Sequence, residues 1–455
     1  MSIQTAPVGD TGVLAVFEQK IAEEIGAQVA ALDAAVRAAK IPGVGETVPA
    51  FASLLVRYDP LLTDYNAVAG AVGALARRLP PPEPGAGRLV TIPVCYGGAY
   101  GPDLAFVAKH AGLTEAEVVR RHTGRDYRIY MLGFLPGFPY LGGLDPALCT
   151  PRLQTPRTAI PAGSVGIGGE QTGIYPVASP GGWQLIGRSD APLFDVHREP
   201  PALLSPGTRV RFTPQRAASR PTAATAAALA RAAREAAAVP ARLGLHRGAE
   251  AGTTSRPALE ALSPGPLALI EDAGRPGRAS IGVSRSGVFD RGALQRANRA
   301  VGNPSGAAAL EILLGPLALR AAAPTVVAVS GAQAPVRIGR GDEEVGDVEL
   351  PADVSRERAL ALDPGDRIEV GPAADGLRLV LAVRGGITQV RRQDLADDEL
   401  IEVLGARSRD TLSGLGPDPL QAGDLLLVGP ERGLDAVPTA VVPAGTAPDG
   451  PEGTD

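Results

Sequence analysis

Lysine is nearly missing from this 455-residue chain: Lys20, Lys40 and Lys109 stand against 41 arginines within the 44 Lys and Arg. None of the three follows a glycine, so a GxxxxGK[ST] phosphate loop cannot exist. A Ser-Ser-Lys amidase centre and a Met-Lys-Met biotin attachment sequence are excluded for the same reason. Cysteine is as scarce. Cys95 and Cys149 are too few for a disulfide framework and no CxxC accompanies them, so both are expected to be buried, reduced small hydrophobes. The four histidines, His110, His122, His197 and His246, form no HExxH and no His/Cys cluster, which argues against a metal site. GxSxG is absent, and GVSRSG at 282–287 has the wrong spacing for a nucleophile elbow.

No run reaches about 18 apolar residues, and the opening MSIQTAPVGDTG lacks the basic and apolar regions of a secretion signal. A cytoplasmic chain without a membrane partner is expected. The net charge of −5 and pI of about 5.6, with arginines scattered rather than striped, offer no field to a phosphate backbone. No nucleic-acid partner is expected.

Glycine (57) and proline (43) are abundant, whereas aromatics are only 4%. That balance favours many short strands joined by tight turns, and the length favours two or three domains. Residues 11–17 and 52–58 read as strands, 21–38 and 64–79 as amphipathic helices, and GVGETVP precedes the second strand. RLVTIPVCY at 88–96 either closes a β-α-β-β-α-β order, as in ferredoxin-like domains, or opens the next domain. Two short helices follow in 102–122, the second starting at Thr114 with Glu117 at capping-box spacing. From 126 to 213, short apolar runs between Gly and Pro read as a barrel. Residues 214–258 are Ala- and Arg-rich and read as a linker, transiently helical; a second β-rich region follows at 262–432, and 437–455 reads as a disordered tail.

Three glycine-rich stretches stand out: GFLPGFPYLGGL at 133–144, PRTAIPAGSVGIGGEQTGIYPVASPGGWQLIGR at 156–188, and EDAGRPGRASIGVSRSGVFDRGALQRANRAVGN at 271–303. Backbone amides bared by Gly, beside Arg forks and hydroxyls, suit carboxylate or phosphate groups. The same residues also make ordinary barrel turns.

The segment YRIYMLGFLPGFPYLGGLDPALCTPRLQTPRTAIPAGSVGIGGEQTGIYPVASPGGWQLIGRSDAPLFD resembles the B component of 5-oxoprolinase, a family also called KipI or allophanate hydrolase subunit 1, and the resemblance extends over residues 8–213. The third stretch, with ALEILLGPLALR, VRGGI and LGARSRDTLSGLG, resembles the C component of 5-oxoprolinase, also called KipA or allophanate hydrolase subunit 2. The chain looks like a B–C fusion.

The resemblance implies an α+β, mainly β protein: a ferredoxin-like domain at 8–87, a cyclophilin-like β-barrel at 88–213 and a second cyclophilin-like β-barrel module at 262–432. It also implies opening of the lactam of 5-oxo-L-proline to L-glutamate, using ATP with Mg2+ and a separate homologue of the 5-oxoprolinase A component. The same modules form the carboxyltransferase part of urea carboxylase, so a biotin-dependent carboxyltransferase for a urea-like amide is the enzyme alternative, with biotin on a separate protein. A KipI-like kinase regulator is the non-catalytic alternative. Allophanate hydrolysis belongs to an amidase domain, which the missing lysine centre excludes.

A lactam carbonyl is a poor electrophile, and phosphorylating its oxygen creates a leaving group whose developing charge needs Arg or amide donors. Arg157, Arg188, Arg275 and Arg278 are the candidates, with Glu170 or Glu311 to hold the lactam N–H or act as a base. Gly163, Ser164 and Gln171 are candidates for substrate contact, and Tyr140 and Trp183 for an apolar wall against the ring, the uncharged 133–144 loop shaping the pocket. Two departures stand out. KipA-type proteins usually continue for roughly a hundred residues past the point matching GDLLLVG at 423–429, so the second module is expected to be incomplete. Gln333 stands where the family usually has an acidic residue.

Overall fold

The computed structural model describes residues 3–80, 87–215, 255–340, 348–350, 357–392, 399–400, 402–431 and 433–440. The chain divides into two compact units, Met1–Leu243 with Pro276–Arg285, and Gly244–Arg275 with Ser286–Asp455. It is mostly β. Among the described residues no helix is long and apolar enough to cross a membrane.

The first unit begins with an antiparallel sheet in the order Gln4–Pro7, Gly12–Val16, Ser53–Tyr58, Val44–Pro49. Helix Glu23–Ala39 turns Ile25, Val29, Leu32 and Val36 to one side, the spacing of a 3.6-residue period, and buries them against Val13, Leu54 and Val56. Helix Tyr65–Arg78 does the same with Val68, Val72 and Ala76, its first turn capped by Asp64, which accepts from the Ala67 amide at 2.9 Å. The edge strand Gln4–Pro7 starts ahead of residue 8 and carries no apolar alternation that would have disclosed it. Strand Leu89–Tyr96 does not join this sheet. It runs parallel to Arg209–Pro214 and antiparallel to Gln184–Arg188 inside the barrel.

That barrel is closed by seven strands in the order Gln171–Ile174, Pro139–Gly142, Asp126–Leu132, Arg209–Pro214, Leu89–Tyr96, Gln184–Arg188, Ser164–Gly168. Helices Leu104–Ala111 and Glu115–Thr123 pack on it through Leu104, Val107 and Val118. Thr114 Oγ1 accepts from the Glu117 amide at 3.2 Å, but the Glu117 carboxylate turns away to Arg120 and Arg121 at 2.6 and 2.8 Å, so half of the expected capping box is made.

His122 is wholly buried, stacked on Phe212 with centroids 4.6 Å apart. Thr172 Oγ1 donates to the Gly166 carbonyl at 2.9 Å, so it accepts from His122 Nε2–H at 3.0 Å, leaving Nδ1 to accept the Tyr96 hydroxyl proton at 2.7 Å. Burial holds the imidazole neutral, its pKa pushed down to about 3. Cys95 and Cys149 are free as expected, but half-buried rather than buried, and burial raises both thiols.

The second unit holds an eight-stranded and a six-stranded sheet. Leu259, Leu319, Ile368 and Leu426 of the first share one core with Leu310, Ile312, Val327, Leu379 and Leu381 of the second. Among the described residues these sheets are open, where a second barrel was expected; short apolar runs between Gly and Pro read alike for both architectures. Helix Arg291–Ala300 lies on the other face of the six-stranded sheet, burying Ala293, Leu294 and Ala297 with Ala309, Ala328, Val380 and Ala382. Asp290 caps it, accepting from the Ala293 amide at 2.9 Å. Strand Arg256–Ser263 begins inside the segment read as linker, and Thr439–Ala440, inside the segment read as tail, pairs parallel with Ala359–Leu360. Residues 216–254, where a transient helix was expected, and 441–455 lie outside the described residues.

Candidate functional site

Strand Ala268–Glu271 is apolar until its last residue. It pairs antiparallel with Ala309–Leu313, Leu269 opposite Glu311 and Glu271 opposite Ala309, so the carboxyl groups of Glu271 and Glu311 lie diagonally on one face. Both are buried, at 4% and 5% exposure. Glu311 is well supplied: Oε2 accepts from the Phe289 amide at 2.5 Å and Oε1 lies 3.4 Å from Arg378 Nη1. Glu271 Oε2 has no hydrogen-bond partner. Burial, with Glu311 and Asp272 adding negative charge, pushes the Glu271 pKa up to about 8 against the hydrogen bond from Ser408 and the charge of Arg275. Glu271 is therefore largely protonated at neutral pH, the kind of carboxyl that clusters at functional sites.

Next to Glu311, which meets Phe289 and Arg378, opens a cavity of about 650 Å³ whose lining includes Phe289, Asp290, Arg291, Gln333, Asp375 and Arg378. Arg378 is held from one edge. Its Nη1 faces Glu311 at 3.4 Å, Nη1 and Nε are both buried without a hydrogen bond, and 24% of the side chain stays open. Phe289 is 79% exposed although it is the one aromatic residue between 244 and 455. Gly331, at φ +96°, lets the strand approach closely: a Cβ there would sit 2.5 Å from the Arg378 carbonyl oxygen.

Of the expected residues, Glu311 and Arg275 fall near one another here, both acting on Glu271. Arg275 is nevertheless committed to the protein. It is 2% exposed and donates from Nε to Val403 O at 3.3 Å, from Nη1 to Ser286 Oγ at 3.0 Å and from Nη2 to Ser408 O. It ties loops together and has no edge left for a substrate. Arg278 belongs to the first unit, where its carbonyl accepts from the Ile281 amide at 3.1 Å.

In the first unit, Arg157 is clamped to Asp103 at 2.8 Å and donates to Trp183 O at 3.4 Å; Asp103 also accepts from the Leu185 amide at 2.6 Å. Tyr140 and Trp183 do meet, ring centroids 6.1 Å apart, with Phe138 and Tyr175 against the indole. The wall is packed, however: Trp183 is 4% exposed. Its seat explains the glycines, because a Cβ at Gly168 would come within 2.7 Å of the indole and one at Gly173 within 2.9 Å. The 133–144 loop buries Leu135 and Phe138 and turns at Gly137 and Gly143, at φ +73° and +91°.

Gly163, Ser164 and Arg188 come together at the other end of strand Ser164–Gly168. Arg188 pairs opposite Ser164, and a Cβ at Gly163 would lie 3.5 Å from Arg188 Cγ. Ser164 Oγ is spent on Pro161 O at 2.7 Å. Glu170 is exposed in the turn before Gln171, itself buried. The eleven expected residues thus fall in several places. Glu271, Phe289 and Arg378 were missed; the signals available were an acid closing an apolar strand and a solitary aromatic. Among the described residues no three His, Cys, Asp or Glu side chains gather as a metal site.

A family profile described as carboxyltransferase domain, subdomain C and D, matches residues 3–204, and one described as carboxyltransferase domain, subdomain A and B, matches residues 281–453. The B component of 5-oxoprolinase from Bacillus subtilis (strain 168) is 42% identical over 219 residues, covering 46% of this chain and 91% of that protein. The C component of 5-oxoprolinase from Escherichia coli (strain K12) is 29% identical over 177 residues, covering 38% of this chain and 50% of that protein, so the chain spans half of that relative. The crystal structure of TTHA0988 superposes with a TM-score of 0.72 at 33% identity, covering 96% of this chain and 77% of that one. The chain belongs to the carboxyltransferase-domain family, a half of the 5-oxoprolinase B kind followed by a half of the 5-oxoprolinase C kind.

Proposed function

We propose that this chain supplies the joined B and C halves of an ATP-dependent 5-oxoprolinase, a hydrolase of cyclic amide C–N bonds that opens 5-oxo-L-proline to L-glutamate with a separate homologue of the A component. The observation that carries this reading is the order of B-like and C-like halves along one chain. The second unit's cavity supports it: Arg378, lying against Glu311, lines it with a partly open guanidinium that can meet a carboxylate.

Among the described residues there is neither a lysine-bearing phosphate loop nor a group of three His, Cys, Asp or Glu side chains to hold Mg2+. In this proposal the nucleotide is bound on the A-component homologue, which supplies the phosphoryl group that activates the lactam oxygen.

The test is glutamate and ADP formation from 5-oxo-L-proline and MgATP, using the purified chain with and without an A-component homologue. Glutamate formed only when both are present is the expected result. A folded chain that yields none with that homologue overturns the reading.

A further inference from the structure

We infer that the second unit's cavity reads its substrate through two groups: Arg378 takes a carboxylate and the Gln333 carboxamide pairs with the edge of a cis-amide. The inference rests on the 5-oxoprolinase reading for the identity of the substrate and deepens it by assigning specificity.

The cavity's charges balance, Arg291 and Arg378 against Asp290 and Asp375, so it does not select a bare anion. Asp290 is already engaged in capping its helix, and its Oδ2 lies 4.0 Å from Arg296. Arg378 is different. Its Nη1 lies 3.4 Å from Glu311 Oε1, and both Nη1 and Nε are closed off from solvent without a hydrogen bond, whereas no acceptor among the described residues meets Nη2. Nη2 is the guanidinium nitrogen left to meet a carboxylate through a charge-assisted hydrogen bond.

Gln333 is exposed on the cavity wall, at a register position opposite Asp375, and its side chain has no hydrogen-bond partner among the described residues. A primary carboxamide carries an acceptor and a donor side by side. A lactam is held cis by its ring and so also presents N–H and C=O on one edge. The two close a pair of antiparallel hydrogen bonds, which a carboxylate, lacking a donor, cannot complete. Phe289, exposed at the same cavity, supplies an apolar face for the ring.

The test is isothermal titration of the full-length chain with 5-oxo-L-proline, cyclopentanecarboxylate, which lacks the amide, and 2-pyrrolidinone, which lacks the carboxylate. Gln333→Met is expected to weaken 5-oxo-L-proline and 2-pyrrolidinone about tenfold, the loss of a paired amide contact, and to leave cyclopentanecarboxylate unchanged. Arg378→Met is expected to weaken both acids and spare 2-pyrrolidinone, with Arg378→Lys restoring part of the loss if the Met variant folds poorly. Equal losses for all three compounds, no loss in either variant, or no binding of 5-oxo-L-proline to the wild-type chain would overturn the assignment. Turnover with the A-component homologue separates the two ideas. Turnover with wild-type KM in both variants sinks the assignment and spares the reading; the expected binding pattern without turnover does the reverse.

Discussion

Taking the chain from pH 7.5 to pH 5 should destabilise the first unit through His122. The imidazole is completely buried, with both nitrogens committed to the neutral form by Tyr96 and Thr172, and its pKa lies at about 3 against an ordinary 6.5. The folded value is the lower one, so between these limits the unfolded chain binds a proton that the folded chain refuses. Stability must therefore fall as pH falls through 6.5. At pH 5 the difference is one and a half units below 6.5, worth about 2 kcal/mol at roughly 1.4 kcal/mol per unit. The shifted carboxylates of the first unit do not confuse this window. Glu117, held at about 2 by hydrogen bonds to Arg120 and Arg121, and Asp126, lowered by Arg211, lose their contribution only below the ordinary carboxylate range. Urea unfolding at pH 7.5, 6 and 5, on wild type and His122→Gln, isolates the effect. The variant should be weaker at pH 7.5 but lose about 2 kcal/mol less on acidification. Parallel pH profiles for the two proteins would refute the reasoning.

Glu271 gives the second unit the opposite slope. Its folded pKa, about 8, exceeds the ordinary 4.5, so its contribution is full below 4.5 and lost as pH rises toward 8. Glu271→Gln should flatten that slope, recovering on the order of 4 kcal/mol at pH 8 relative to pH 5; an unchanged slope in urea midpoints counts against a buried neutral carboxyl. Gly142→Ala would place a Cβ 1.7 Å from Tyr130 Cε2, and a loss of about 1–3 kcal/mol in calorimetry is expected; an unshifted Tm would mean the ring has room to move. Arg157→Ala, which cuts the clamp to Asp103, should lower thermal stability while leaving 5-oxo-L-proline turnover by the chain with its A-component homologue within about twofold. A collapse of turnover with an unchanged Tm would return Arg157 to the chemistry.

What could be read from the residues follows from how local each signal is. The Thr114 cap, the apolar stripe of helix Glu23–Ala39 and the short strands of the barrel all depend on spacing within a dozen residues. The strand Gln4–Pro7 has no such pattern, and the helix after Asp290 was hidden by glycines and arginines around it. The site is harder still. Glu271 and Glu311 meet only through the register of two strands about forty residues apart in sequence, and Arg275 is used up by carbonyls of Val403 and Ser408. Arginine in a glycine-rich run looks the same whether its partners are protein or substrate, so Arg157 and Arg275 could not be told from Arg378 before the pairing was known.

The uneven placement of aromatic residues makes the two units optically distinct. The single tryptophan, Trp183, and all eight tyrosines fall within residues 1–243, and Phe289 is the one ring that follows. Near-ultraviolet absorbance and intrinsic fluorescence therefore report the first unit alone, and the second is dark to both. A fluorescence melt would record the barrel and miss the sheets that bear the cavity, whereas backbone circular dichroism sees both. Comparing the two signals on the unmodified chain separates their unfolding without a single added label, and Phe289→Trp would light the cavity's rim for ligand titration.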